Sequence, residues 1–164
     1  MENINRIKVL LVDDEEEFLQ LISKRFELKD FDVIGASSGK EAIEAAENGL
    51  FDVAIVDLQM PGMNGAELLK ILKEKHRYLE IIILTGHATI DSAVECARLG
   101  AFKYLEKPYN FEKLVDIIRD AYETRLKKKF ESNKSRMEEI QRMSLTGTPL
   151  EILKALARLD NQDK

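Results

Sequence analysis

Five residues stand where runs of apolar residues stop, and together they could move a phosphoryl group. "VLLVDD" ends in Asp13 and Asp14, "VAIVD" in Asp57 and "IIILT" in Thr85, while "KYLEKP" carries Lys107 just past its apolar part. Three carboxylates brought together repel one another and need a cation. Carboxylate and carbonyl oxygens suit Mg2+, which also takes a phosphate oxygen as ligand. Lys107 is a point charge able to hold a carboxylate or a phosphoryl group, and Thr85 supplies a hydroxyl. Phosphoryl transfer rests mostly on positioning and charge neutralisation. In such a set Asp57 is the nucleophile, forming an aspartyl phosphate.

Taken singly, each residue has a plainer reading. An Asp after a strand is most often a turn or cap residue. Asp13 ahead of "DEEE" suits the N-terminus of the next helix through its dipole. His76 and His87 have no partner at zinc-ligand spacing, which argues against a zinc site. Cys96 lies in a helical pattern and reads as core-facing or inert. Only the coincidence of all the strand-end features favours chemistry.

The elements that must position them alternate along the chain. Strands are expected at 6–12, 31–37, 52–57, 80–85 and 102–106. Helices are expected at 17–28, 39–48, 65–75 and 89–100, with a fifth starting near Phe111. In the first helix, Phe18, Leu21, Ile22 and Phe26 share one side. Short apolar strands alternating with helices imply an α/β fold whose parallel sheet is covered on both faces. The expected topology is a doubly wound, flavodoxin-like five-stranded sheet in the order 2-1-3-4-5, with strand 2 at an edge. Ligands of such sheets bind beyond the carboxyl ends of the strands, where the five residues above converge.

The chain has 164 residues, 45% hydrophobic and 34% charged, enough for one globular domain and a small appendage. Net charge is −5, but residues from 125 onward hold ten Lys/Arg and six Asp/Glu, leaving −9 on 1–124. The expected division is therefore 1–124 as the domain and 125–164 as a helical extension. That extension continues the fifth helix and ends in a short helix at 149–159, introduced by Thr148, Pro149 and Glu151. Gly147 is expected to stop the long helix. Val115, Ile118, Tyr122, Leu126, Met137 and Ile140 keep a loose 3/4 spacing that Asn133 interrupts. The last helix is apolar around much of its circumference, so it must pack on its own domain or on a partner. "KKK" at 127–129 reads as a solvated helix face. One cysteine excludes an internal disulfide, "IKVLLV" is too short for a signal peptide, and no stretch approaches a membrane span. A cytoplasmic protein without a membrane partner is expected.

The quoted motifs, with "DLQMPGMNG" at 57–65, "LTGHA" at 84–88 and "KYLEKP" at 103–108, resemble the receiver domain of two-component response regulators over about residues 5–124. The resemblance implies that Asp13 and Asp14 hold the metal, Asp14 more directly, and that Asp57 is the phospho-acceptor. The backbone carbonyl of Gln59 completes the Mg2+ site. Thr85 and Lys107 grip the phosphoryl group, and Tyr104 is the aromatic switch. Gln59 and His87 tune phosphate lifetime, Gly86 keeps the acyl phosphate accessible, and the Lys107–Pro108 bond is cis, as it often is in the family.

By the same resemblance the donor is a sensor histidine kinase or a histidine phosphotransfer protein, and the output is a conformational change felt by an unidentified downstream protein. The family reading is a switch that phosphorylates and dephosphorylates itself and is otherwise not an enzyme. A homodimer has two routes, the face formed by the fourth helix, fifth strand and fifth helix, or the extension. A Mg2+ phosphohydrolase is the rival reading, but such enzymes usually carry a second Asp where this chain has Gln59. Residues 125–164 show neither helix-turn-helix spacing nor room for a winged helix, and no P-loop is present, so DNA is not an expected partner.

Overall fold

A computed structural model describes residues 6–160, with side chains through residue 158. Residues 1–5 and 161–164, the outer ends of the division at 124/125, lie outside the described residues. Five strands, β1 (Lys8–Val12), β2 (Asp32–Ala36), β3 (Val53–Val56), β4 (Glu80–Thr85) and β5 (Lys103–Glu106), form one parallel sheet in the order β2-β1-β3-β4-β5. The helices are α1 (Glu16–Glu27), α2 (Gly39–Asn48), α3 (Gly65–Lys75), α4 (Ile90–Arg98), α5 (Phe111–Thr146) and α6 (Pro149–Asp160). β4 matches its expected span, while β1, β2, β3, β5 and α4 are each one to three residues shorter than their patterns, because the flanking residues already turn toward loops. α6 runs one residue past the expected 159.

Alternation along the central strands sorts their side chains into two cores. Leu10, Val12, Ala54, Val56, Ile81 and Ile83 pack against Ala42 and Ala46 of α2, Leu68, Leu69 and Leu72 of α3, and Cys96 of α4. Val9, Leu11, Val53, Ile55, Ile82 and Leu84 face the other way, onto Leu19 and Phe26 of α1 and Phe111, Leu114, Val115 and Ile118 of α5. Two covered faces explain why β3 and β4 are apolar at nearly every position.

Leu21 departs from expectation. It is 61% exposed, and Leu19 is buried instead. Phe18, Ile22 and Phe26 fit a helix turned either way, and the sheet contact selects the rotation that brings Leu19 inward. Burial, and after it Glu95, raises the Cys96 thiol to about 11, so it stays protonated and inert.

α5 passes through Asn133 without a break and stops at Gly147, whose N–H donates to the Met143 carbonyl. Where α5 passes the base of the sheet, two cations meet two carboxylates. Arg125 Nε donates to Asp52 Oδ1 at 3.0 Å, and Lys128 Nζ to Glu80 Oε1 at 2.6 Å. The lysine run is therefore not uniformly solvated. Helical spacing aims Lys128 at the sheet, while Lys129 lies 5.9 Å over the Tyr78 ring. Glu80 is 1% exposed. Lys128→Met leaves that carboxylate without its salt bridge, and a fall in stability of about 1–2 kcal/mol is expected in urea unfolding. The figure is held below the cost of a fully buried pair because the Lys128 side chain is 49% exposed. An unchanged midpoint would show that the pair contributes nothing.

Candidate functional site

The strand ends are in register, and that register builds the site. Val12 pairs with Val56, and Val56 with Ile83. The ladder continues one step past the strands: Asp57 N–H donates to the Val12 carbonyl at 3.0 Å, Asp13 N–H to Ala36 at 3.1 Å, and Lys107 N–H to Thr85 at 2.9 Å. Side chains so anchored have little backbone freedom. Asp13, Asp57 and Thr85 are buried, at 1, 5 and 0% exposure, whereas Asp14 is exposed.

Asp13, Asp14 and Asp57 each place a carboxylate oxygen within 4.8 Å of the others. Lys107 makes a close ion pair with Asp13 Oδ2 and lies 3.8 Å from Asp57 Oδ2. Its ammonium also sits 4.0 Å over the Phe18 ring, a favourable cation–π contact. Three carboxylates against one ammonium leave two negative charges. An all-oxygen donor set with an excess of negative charge fits a hard divalent cation such as Mg2+. Asp13 Oδ1 accepts the Glu15 N–H at 2.9 Å, and Asp57 Oδ1 the Gln59 N–H at 3.4 Å.

The loop after Asp57 is held by glycines. Gly62 has φ +82, and Gly65 opens α3 directly against the strand end, where an added Cβ would lie 2.4 Å from the Asp57 carbonyl oxygen. Asn64 caps α3 by accepting the Glu67 N–H. Gln59 is exposed at the mouth of the site.

Thr85 Oγ1 accepts the His87 N–H at 3.1 Å. His87 is exposed beside the site, while His76 follows α3 at the far end of the sheet. Burial, and then Lys75, hold the His76 imidazole below its usual range. Tyr104 is half-buried. Its hydroxyl accepts the Thr89 N–H at 3.3 Å and lies 2.5 Å from Ser92 Oγ, tying β5 to the first turn of α4. The Lys107–Pro108 peptide is cis.

The structure thus brings Asp13, Asp14, Asp57 and Lys107 together, with Thr85 at the end of the adjacent strand, Gln59 and His87 beside them, and Tyr104 one layer away. Sequence reasoning missed Phe18 and the steric role of Gly65. Its helical spacing groups Phe18 with Leu21, Ile22 and Phe26, and nothing local marks it as a partner of Lys107. A cleft of about 680 Å³ lies at the opposite end of the sheet, lined by Phe51, Leu79 and Arg125 among others, and Asp13, Asp14 and Asp57 are not part of it.

The family model described as "Response regulator receiver domain" matches residues 9–119. Among curated proteins, the "Putative response regulator NtrX-like" of Rickettsia bellii is 32% identical over 94% of this chain and 32% of its own length. "Regulatory protein AtoC" of Escherichia coli is 34% identical over 79% of this chain and 28% of its own. The chain therefore spans about a third of the length of these relatives. Among solved structures, a response regulator receiver domain protein of Clostridium thermocellum is 36% identical with a TM-score of 0.68, covering 71% of this chain and 94% of that one. The response regulator TrrA of Thermotoga maritima, solved in complex with Mg2+-BeF, is 27% identical with a TM-score of 0.64, covering 70% and 98%.

Proposed function

Because this chain belongs to the response regulator receiver domain family, we propose that it is a phosphorylation switch in which Asp57 accepts a phosphoryl group from the phosphohistidine of a sensor histidine kinase or a histidine phosphotransfer protein. The observation that carries this is the meeting of Asp13, Asp14 and Asp57 beside the Lys107 ammonium at the carboxyl end of the sheet. The similar TrrA, solved with Mg2+-BeF, supports the same ligand chemistry for this site.

An Asp57 carboxylate oxygen attacks phosphorus. The bond from phosphorus to the donor imidazole nitrogen breaks, the electron pair leaves with the imidazole, and that ring takes up a proton. The product is an acyl phosphate on Asp57. Asp13, Asp14, Asp57 and the Gln59 carbonyl would hold Mg2+, which supplies positive charge opposite the transferring oxygens. Lys107, already 3.8 Å from Asp57, turns from Asp13 to a phosphoryl oxygen. Thr85 gives up the His87 N–H and donates its hydroxyl to another.

The switch follows from that exchange. Thr85 moves toward the phosphoryl group and shifts the β4–α4 loop, on which the Tyr104 hydroxyl is fastened at Thr89 and Ser92. The face formed by α4, β5 and α5, where Ile90 is 84% and Val94 45% exposed, is then remodelled for a downstream protein or a second copy of the chain. Gln59 and His87, at the mouth of the site, set how water reaches the acyl phosphate. The protein performs this self-phosphorylation and slow self-dephosphorylation and turns over no other substrate.

The test is incubation with acetyl phosphate, or with phosphorylated kinases, in Mg2+ and then in excess chelator. Acid-stable, base-labile or hydroxylamine-labile phosphate on Asp57 is expected with Mg2+, and a loss of at least about tenfold in rate without it. Equal incorporation with and without the metal would remove the acidic cluster from the mechanism.

A further inference from the structure

The extension carries an apolar seam that the described chain leaves open. Leu126, Phe130 and Met137 of α5 are 46, 70 and 66% exposed. With Asn133 and Ile140 they follow one another at spacings of 4, 3, 4 and 3 residues, the d and a positions of a heptad. α6 folds back beside this seam, burying Ala155. Each residue of a helix turns about 100°. Glu151, Lys154 and Arg158 therefore fall on one flank of α6, where they line a cleft with Met143 and Thr146. Leu153 and Leu156, 63 and 37% exposed, fall on the other flank of α6. A stripe of this spacing is what an amphipathic helix packs against.

Charge decides which helix. The positions that flank the seam in the heptad frame are Lys127, Lys134 and Gln141 on one side, and Lys129, Arg136 and Met143 on the other. None is acidic; Glu131, Glu138 and Glu139 lie further round the helix. Flanking charges set partner choice in helix pairs. A parallel second copy would set Lys129 of one chain against Lys134 of the other, and an antiparallel one would set lysine flank against lysine flank. Lys127, Lys129 and Lys134 suffice for this argument, without Arg136. We propose that the seam docks an amphipathic helix of another protein whose flanking residues are acidic. The inference goes beyond the phosphorylation reading and does not depend on Asp57.

The test uses the full chain, without a phosphoryl donor, and two synthetic helical peptides about three heptads long. Both carry Leu at a and d; one carries Glu at the flanking positions and the other Lys. The Glu peptide is expected to bind, more weakly as salt rises, and the Lys peptide at least about tenfold more weakly. Phe130→Ser, and separately Lys127→Glu with Lys134→Glu, should each weaken the Glu peptide about tenfold or more. These side chains are exposed, and circular dichroism verifies that the helices persist. Equal binding of both peptides, or binding of neither, overturns the proposal. So does a sedimenting dimer of the free chain that Phe130→Ser dissolves, which would assign the seam to a second copy.

Discussion

Asp57→Asn is expected to take up no phosphate from any donor that labels the wild type, and to unfold at a slightly higher temperature. The first part follows from chemistry. An amide is a poor nucleophile, and the replacement has the same shape, so the rest of the site keeps its geometry. A fall of at least about 10³-fold in labelling rate is expected, read from the label retained after denaturation. The second part separates the switch reading from the bland one. Asp57 is 5% exposed and stands within 4.8 Å of two other carboxylates, with one ammonium nearby. Removing one negative charge relieves repulsion, worth about 1 kcal/mol or a few degrees in melting temperature. If Asp57 were only a turn residue accepting the Gln59 N–H, the Asn carbonyl oxygen would accept it equally well and the melting temperature would stay unchanged. Labelling of the variant at the wild-type rate would remove Asp57 from the mechanism.

How far the sequence foretold the structure depended on how local each cause is. The sheet order and the convergence of Asp13, Asp14, Asp57 and Lys107 were legible because buried parallel strands read as apolar runs whose ends mark the ligand side. The stop at Gly147 was legible for the same reason, since a helix terminus is a local event. The rotation of α1 was not. Leu19 and Leu21 both suit a helix, and only the sheet beneath chooses between them. Nor were the basal pairs, because Asp52 and Arg125 are 73 residues apart and Glu80 and Lys128 are 48 apart. The role of Tyr104 came from resemblance alone, and its hydroxyl partners in α4 are a tertiary fact. Gly65 is the most instructive case. It stands in plain view at the end of "MPGMNG", but the reason it must be glycine lies in the backbone it touches.

That reason predicts a second large effect. A Cβ on Gly65 would stand 2.4 Å from the Asp57 carbonyl oxygen, 2.7 Å from Leu58 Cα and 3.0 Å from the Asp57 carbonyl carbon. All three are backbone atoms, so no side-chain rotation relieves the contact. The strand end cannot yield easily, because Asp57 N–H is bound to Val12 and Gly65 N–H to the Leu58 carbonyl. Retreat of α3 would instead loosen Ala66, Leu68 and Leu69, which are buried against the sheet. Gly65→Ala is therefore expected to cost about 2–4 kcal/mol in denaturant unfolding. In the fraction that remains folded, labelling of Asp57 should slow by more than about tenfold, since small displacements of a nucleophile are costly. Gly62→Ala is the control. Gly62 has φ +82 but nothing within 4 Å of its missing Cβ. Its cost is backbone strain alone, about 1 kcal/mol, with labelling nearly unchanged. If Gly62→Ala proved the more damaging of the two, loop conformation rather than the close approach of α3 to the strand end would be what holds Asp57 in place.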